Sequence, residues 1–192
     1  FKLIIKFLNK LSILQKSQIV FTKPNKKKIL IFDKKGSSSP IYSFFSSENS
    51  EILHVLGEKI NFYILFKLLL KFKIPTIASY IDEYINFVKP EFIFHNSYNV
   101  RFFEINKNDF NFNFNKIFTQ SELKNNLDFK DFIGNKINLN CDHLFVWSEG
   151  IKKKLLNYID GNYQVVGSYL NNKDIIINKK NLKNKLSFVS QY

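Results

Sequence analysis

Ile29-Leu30-Ile31-Phe32, four apolar residues in unbroken succession closed by Asp33, decide how the rest of the chain is read. A strand with one wet face alternates apolar and polar residues, whereas a strand covered on both faces runs continuously apolar, as in parallel sheets. Similar short runs follow at Ile52–Leu56, Phe92–Phe94, Lys116–Thr119, Leu144–Trp147 and Tyr163–Val166. Between them lie stretches of helical character. Phe62–Phe72 is apolar almost all round, and Ile77, Ile81, Tyr84, Ile85 and Val88 recur at helical spacing between Pro75 and Pro90. Ile151, Leu155, Leu156 and Ile159 mark a further helix, with Glu149 in its first turn and Gly161 just past its end. Strands alternating with helices predict an α/β domain with a doubly wound, mostly parallel, Rossmann-like sheet.

Outside this core the character changes. Residues 1–25 are expected to form a basic amphipathic helix, with Leu3, Ile4, Phe7, Leu8, Leu11 and Leu14 opposite Lys2, Lys6 and Lys10. Such a helix suits either packing on the domain or, through residues 1–22, peripheral contact with an anionic membrane surface. Residues 26–170 form the predicted Rossmann-like domain, Lys/Asn-rich residues 171–185 a linker, and 186–192 the first strand of a second, truncated domain. The chain lacks methionine even at position 1, so it is expected to be a processed product or, the preferred reading, a fragment of a longer reading frame. No apolar stretch reaches the roughly 20 residues a spanning helix needs.

The 192 residues carry Lys+Arg 29 against Asp+Glu 16, a net charge of +13. Arg101 is the sole arginine, and Lys, Asn, Ile and Phe dominate. All four have A/T-rich codons, so part of the basicity reflects base composition. Arginine poverty argues against base-edge readout and hence against nucleic acid as partner. A single cysteine, Cys141, excludes an intrachain disulfide and fits a reducing, cytoplasmic compartment.

Motifs with a defined mechanism are missing from the sequence: no Walker phosphate loop, no G-x-G-x-x-G, no G-x-S-x-G elbow, no H-E-x-x-H and no Asp-x-Asp. No cofactor or metal is therefore expected. In open parallel sheets ligands bind beyond the carboxyl ends of the strands, which selects the polar residues there. His95, an imidazole able to act as general base, and Asp33 are the candidate catalytic residues. Asn96, Gln120, Ser121, Glu149, Gly167 and Ser168 are the candidate substrate-binding residues. His54 sits within the second run. His143, at a strand's entry, is expected to be structural, and Cys141, with no obvious activating neighbour beyond His143, to be inert.

The segments KKKILIFD (26–33), ASYIDEYINFVKP (78–90), EFIFHN (91–96), KIFTQ (116–120), CDHLFVWSEGIKKKLLNYI (141–159), VVGSYLNNK (165–173) and LSFVSQY (186–192) resemble bacterial surface-carbohydrate biosynthesis transferases of the GT-B glycosyltransferase type, akin to CDP-glycerol glycerophosphotransferases. Gly-Ser-x-x-Asn-Asn at 167–172 is the most specific element. Two departures stand out: His95 replaces an Asp before Asn96, and Ser121-Glu122 replaces Asn-Gly after Gln120. The resemblance implies an N-terminal, acceptor-side domain that receives a glycan acceptor. A nucleotide-activated sugar or alditol donor would be held by the missing C-terminal domain, leaving this chain inactive alone. The competing expectation is a non-catalytic basic module that binds anionic polymer or a membrane surface.

Overall fold

The structure, a computed structural model, describes residues 18–32, 45–54, 59–121 and 139–168. Within them the strands are β1 (Gln18–Val20), β2 (Ile29–Phe32), β3 (Ser50–Leu53), β4 (Lys59–Asn61), β5 (Phe92–His95), β6 (Asn115–Thr119), β7 (Leu139–Val146) and β8 (Ile159–Val165). The helices are α1 (Phe62–Leu70), α2 (Ile77–Val88), α3 (Val100–Glu104) and α4 (Glu149–Leu155), with a 3-10 turn at Lys107–Asp109. Six strands form one sheet in the order β3-β2-β5-β6-β7-β8, and every neighbouring pair is parallel. The fold is thus α/β and Rossmann-like. From β2 the chain steps outward to β3, and from β5 it steps the other way, so the topological switch point lies between β2 and β5.

The unbroken apolarity of β2 is explained by its two covered faces. Leu30 and Phe32 enter a large cluster with Phe118 of β6 and with Leu68, Ile85, Phe102 and Leu155, one from each of the four helices. Ile31 joins Phe94, Phe45, Ile52 and Ile117 on the other face. The prolines delimit α2 as expected. Thr76, after Pro75, accepts from Ser79 N–H at 3.1 Å and receives the reciprocal Ser79 contact, a capping box. Lys89, in the left-handed region at φ 53°, ends the helix before Pro90.

Several expectations are corrected. The last part of the helix expected over residues 1–25 is instead strand β1, paired in parallel with β4 as a separate two-stranded ribbon; residues 1–17 lie outside the described residues, as do 171–185 and 186–192. His54 follows β3 rather than lying within it. β7 begins five residues before its apolar run, because Asn140, Asp142 and His143 are strand residues with their own partners. His143 accordingly lies inside β7, opposite Ile117 and Asn162, and not at its entry. Gly161 does not end a helix but lies in β8 opposite Cys141, beside an irregularity in the ladder. A Cβ there would stand 1.9 Å from the Cys141 carbonyl oxygen, so the close approach of two backbones selects glycine. Among the described residues no helix is long and apolar enough to cross a membrane.

Candidate functional site at the carboxyl edge of the sheet

Because all six strands run the same way, their carboxyl ends form one edge. Along it, in spatial order, come His54 after β3, Phe32 at the end of β2, His95 closing β5, Gln120-Ser121 after β6, Trp147-Ser148 after β7 and Gly167-Ser168 after β8. The candidates are therefore brought to one rim, as the strand-end rule requires. Asp33, next after Phe32, lies outside the described residues. With about 4.8 Å between strands, β5 and β8 are roughly 14 Å apart. His95 and Ser168 consequently stand well apart along the rim and not on one small substrate atom.

His95 sits at the switch point but is fully enclosed. Its Nδ1 is 2.6 Å from the Phe32 carbonyl oxygen, which fixes the proton on Nδ1. Nε2 then accepts the Ser97 hydroxyl at 3.1 Å. Phe32 meets the ring edge-on and Phe102 packs at 5.1 Å. Burial lowers the imidazole pKa to about 4, against the Phe32 hydrogen bond, which favours the charged form. The ring is thus neutral at physiological pH but a poor base, and it reaches the rim only through half-buried Ser97. Asn96 is buried beside it.

Gln120 is likewise buried, and its Oε1 accepts Trp147 N–H at 2.9 Å while its own N–H donates to the Phe145 carbonyl at 3.0 Å. It fastens the ends of β6 and β7. Ser121 is partly exposed. Ser148 caps α4 by accepting from Ile151 N–H at 3.3 Å, leaving the Glu149 side chain 63% exposed, 3.6 Å from Lys152. Gly167 adopts φ 74°, a left-handed conformation that glycine takes without strain, and the space where a Cβ would stand is open. Ser168 is half-buried beside it. The solvent-reaching groups of the rim therefore include Ser97, Ser121, Ser148, Glu149 and the Gly167-Ser168 turn.

A concavity of about 580 Å³ lies between edge strand β3 and the β1–β4 ribbon. Glu51 accepts the Tyr84 hydroxyl at 3.1 Å and Asn25 N–H at 3.3 Å, and Asn61 donates to the Thr22 carbonyl at 2.7 Å. Burial pushes the Tyr80 hydroxyl up to about 12, opposed by its bond to Asn61 N–H. Burial and then the Glu51 carboxylate raise Tyr84 further still. Residue-by-residue reading missed this wall. Its one visible signal is Tyr80 and Tyr84, four apart on a helix face otherwise apolar. Among the described residues no group of three or more His, Cys, Asp or Glu side chains could hold a metal ion.

Compared with known proteins, residues 118–192 match the model of a family described as "putative O-antigen biosynthesis protein". No curated protein and no solved structure matches the chain. The family match supports a role in surface-carbohydrate biosynthesis.

Proposed function

We propose that this chain is the acceptor-side domain of a transferase in surface-polysaccharide biosynthesis. In this reading it receives a glycan acceptor while a second α/β domain, of the GT-B kind, holds a nucleotide-activated sugar or glycerol-phosphate donor. One observation carries the reading: the segment matching the O-antigen biosynthesis family, 118–192, contains five of the eight candidate residues, Gln120, Ser121, Glu149, Gly167 and Ser168, and they follow three neighbouring strands at one rim.

The proposed chemistry is attack of an acceptor hydroxyl on the donor's anomeric carbon or phosphorus. A new C–O or P–O bond forms there, the bond to the leaving nucleotide breaks, and the hydroxyl proton passes to a carboxylate. Buried, weakly basic His95 is a positioning residue in this scheme, since it orients Ser97 and joins β5 to β2. Asp33, which directly follows Phe32, is the proposed proton acceptor, with Glu149 and Ser168 as acceptor contacts. The protein acts, in this proposal, at the cytoplasmic side of the cell membrane.

The test uses the full-length protein with a panel of nucleotide-activated sugars, CDP-glycerol and isolated membranes as acceptor source, reading incorporated label. Asp33→Asn and Ser168→Ala should each lower turnover at least about tenfold with an unchanged melting temperature. If no donor is used, and the protein instead binds anionic polymer with a steep salt dependence, the non-catalytic basic module replaces this reading.

A further inference from the structure

Of the twelve exposed large hydrophobic residues among those described, nine fall between residues 19 and 77. On α1, Ile64 and Leu68 are buried, while Phe62, Phe66, Leu69 and Leu70, at offsets of four, seven and eight, form a continuous outward stripe. Immediately beyond the helix Phe72 is 97% exposed and Ile74 76% exposed. A water-facing helix surface is normally polar, so this one is inverted.

The turn at Phe72 adds an independent observation. Phe72 follows the helix cap in the left-handed region at φ 52°, and Phe72 N–H and Lys73 N–H donate back to the Leu69 and Leu68 carbonyls at 2.9 and 3.0 Å. This is the position where glycine is preferred, because a Cβ there is strained. A phenylalanine accepts that strain here and, almost wholly exposed, gains no packing within the chain to offset it.

Charge selects the occupant. From Lys59 to Ile81 the sequence contains four lysines, Lys59, Lys67, Lys71 and Lys73, and no acidic residue. The next carboxylate but one, Glu83, is buried and already paired with Lys71 at 2.6 Å. Even with Lys71 paired to Glu83 and Lys73 near Asp82, four lysines face only these two carboxylates. Phenylalanine and leucine on such a net-positive face suit a lipid interface, with rings and aliphatic chains below the headgroups and ammonium groups at the phosphates. An acidic protein surface would satisfy the lysines but not six protruding apolar side chains spread over a helix and its following turn.

We infer that the outer face of α1 and the Phe72–Ile74 turn dock this domain on an anionic membrane surface, independently of any activity at the sheet edge. The test is sedimentation of the purified chain with phosphatidylcholine vesicles with and without phosphatidylglycerol, for the wild type, Phe72→Gly and Leu70→Glu. The wild type should bind the anionic vesicles, and both variants should bind roughly tenfold more weakly. Phe72→Gly should at the same time melt no lower than the wild type, since it relieves the turn, which separates lost docking from lost folding. Equal binding to neutral vesicles, or no binding, would overturn the inference. Undiminished binding by both variants would also overturn it and place the contact in residues 1–17. So would light scattering showing that Leu70→Glu dissociates a dimer, because the face would then be a contact between copies.

Discussion

His95 donates from Nδ1 to the Phe32 carbonyl across 2.6 Å, at the point where the β2–β5 backbone ladder has ended with Ile31 opposite Phe94. A side chain thus extends the pairing by one residue at the switch point. Because the ring is fully enclosed, its protonation couples to folding. Its folded pKa is lowered to about 4 from the ordinary 6.5, so between these values the unfolded chain binds the proton that the folded chain refuses. Its stabilising effect is complete above pH 6.5 and is lost as the pH falls toward 4, at a slope approaching roughly 1.4 kcal/mol per pH unit. Urea denaturation at pH 4–8 should show this slope in the wild type and a shallower one in His95→Gln. An unchanged slope in the variant would assign the effect to other groups.

Gly161→Ala tests the close pass of β8 over β7. The new methyl would meet both the Cys141 carbonyl oxygen at 1.9 Å and Leu144 Cδ1 at 2.6 Å, and backbone cannot yield as a flexible side chain does. The expected cost is about 2–3 kcal/mol, typical of overpacking. Cys141 supplies a reporter at the same spot: it is 2% exposed, and burial, outweighing the nearby Lys116 charge, pushes its thiol up to about 12. Alkylation by iodoacetamide should be slow in the wild type and markedly faster in the variant. Equal rates would show that the thiol reacts without strand opening.

Asp142 holds β7 to its neighbours through both oxygens, one accepting Lys107 Nζ at 2.7 Å and the other Lys116 N–H at 2.7 Å. Burial alone would raise its pKa, but these two bonds outweigh burial and hold the carboxyl below its ordinary 3.8. A depressed carboxylate stabilises fully above the ordinary value, and the contribution disappears as the pH falls through the folded one. Asp142→Asn should therefore cost about 1 kcal/mol at pH 7, the partial exposure of the pair limiting the loss. The difference from the wild type should vanish as the pH falls through the lowered folded-state value. A penalty that persists in acid would point to packing rather than charge.

The sheet was legible because β2, β5 and β6 are short apolar runs between breakers, and α2 because Pro75 and Pro90 bracket its periodic residues. β7 was only half legible. Its first part, Leu139–His143, looks polar in sequence, and its polarity is satisfied by Lys107 and the Lys116 N–H, both distant along the chain. Gly161 misled for a related reason: its use depends on the Cys141 carbonyl, which no local pattern reveals. At the rim, the strand-end rule anticipated that the described candidates share one edge, but sequence could not show how deeply His95 and Gln120 are buried. Their immediate partners, Phe32 and Trp147, come from other strands. The wall formed by Glu51, Tyr84 and Asn25 escaped notice because its members are scattered over 60 residues.

The wholly parallel order also sets a timetable for synthesis. β2 cannot acquire its second neighbour until β5, some 60 residues later, has emerged from the ribosome, and parallel pairing over such separations is slow to nucleate. Meanwhile the apolar β2 and α1 segments are presented to the cell without their final covering. A nascent chain of this design would lean on chaperones that shield hydrophobic segments, and its yield should rise when translation is slowed or the temperature lowered.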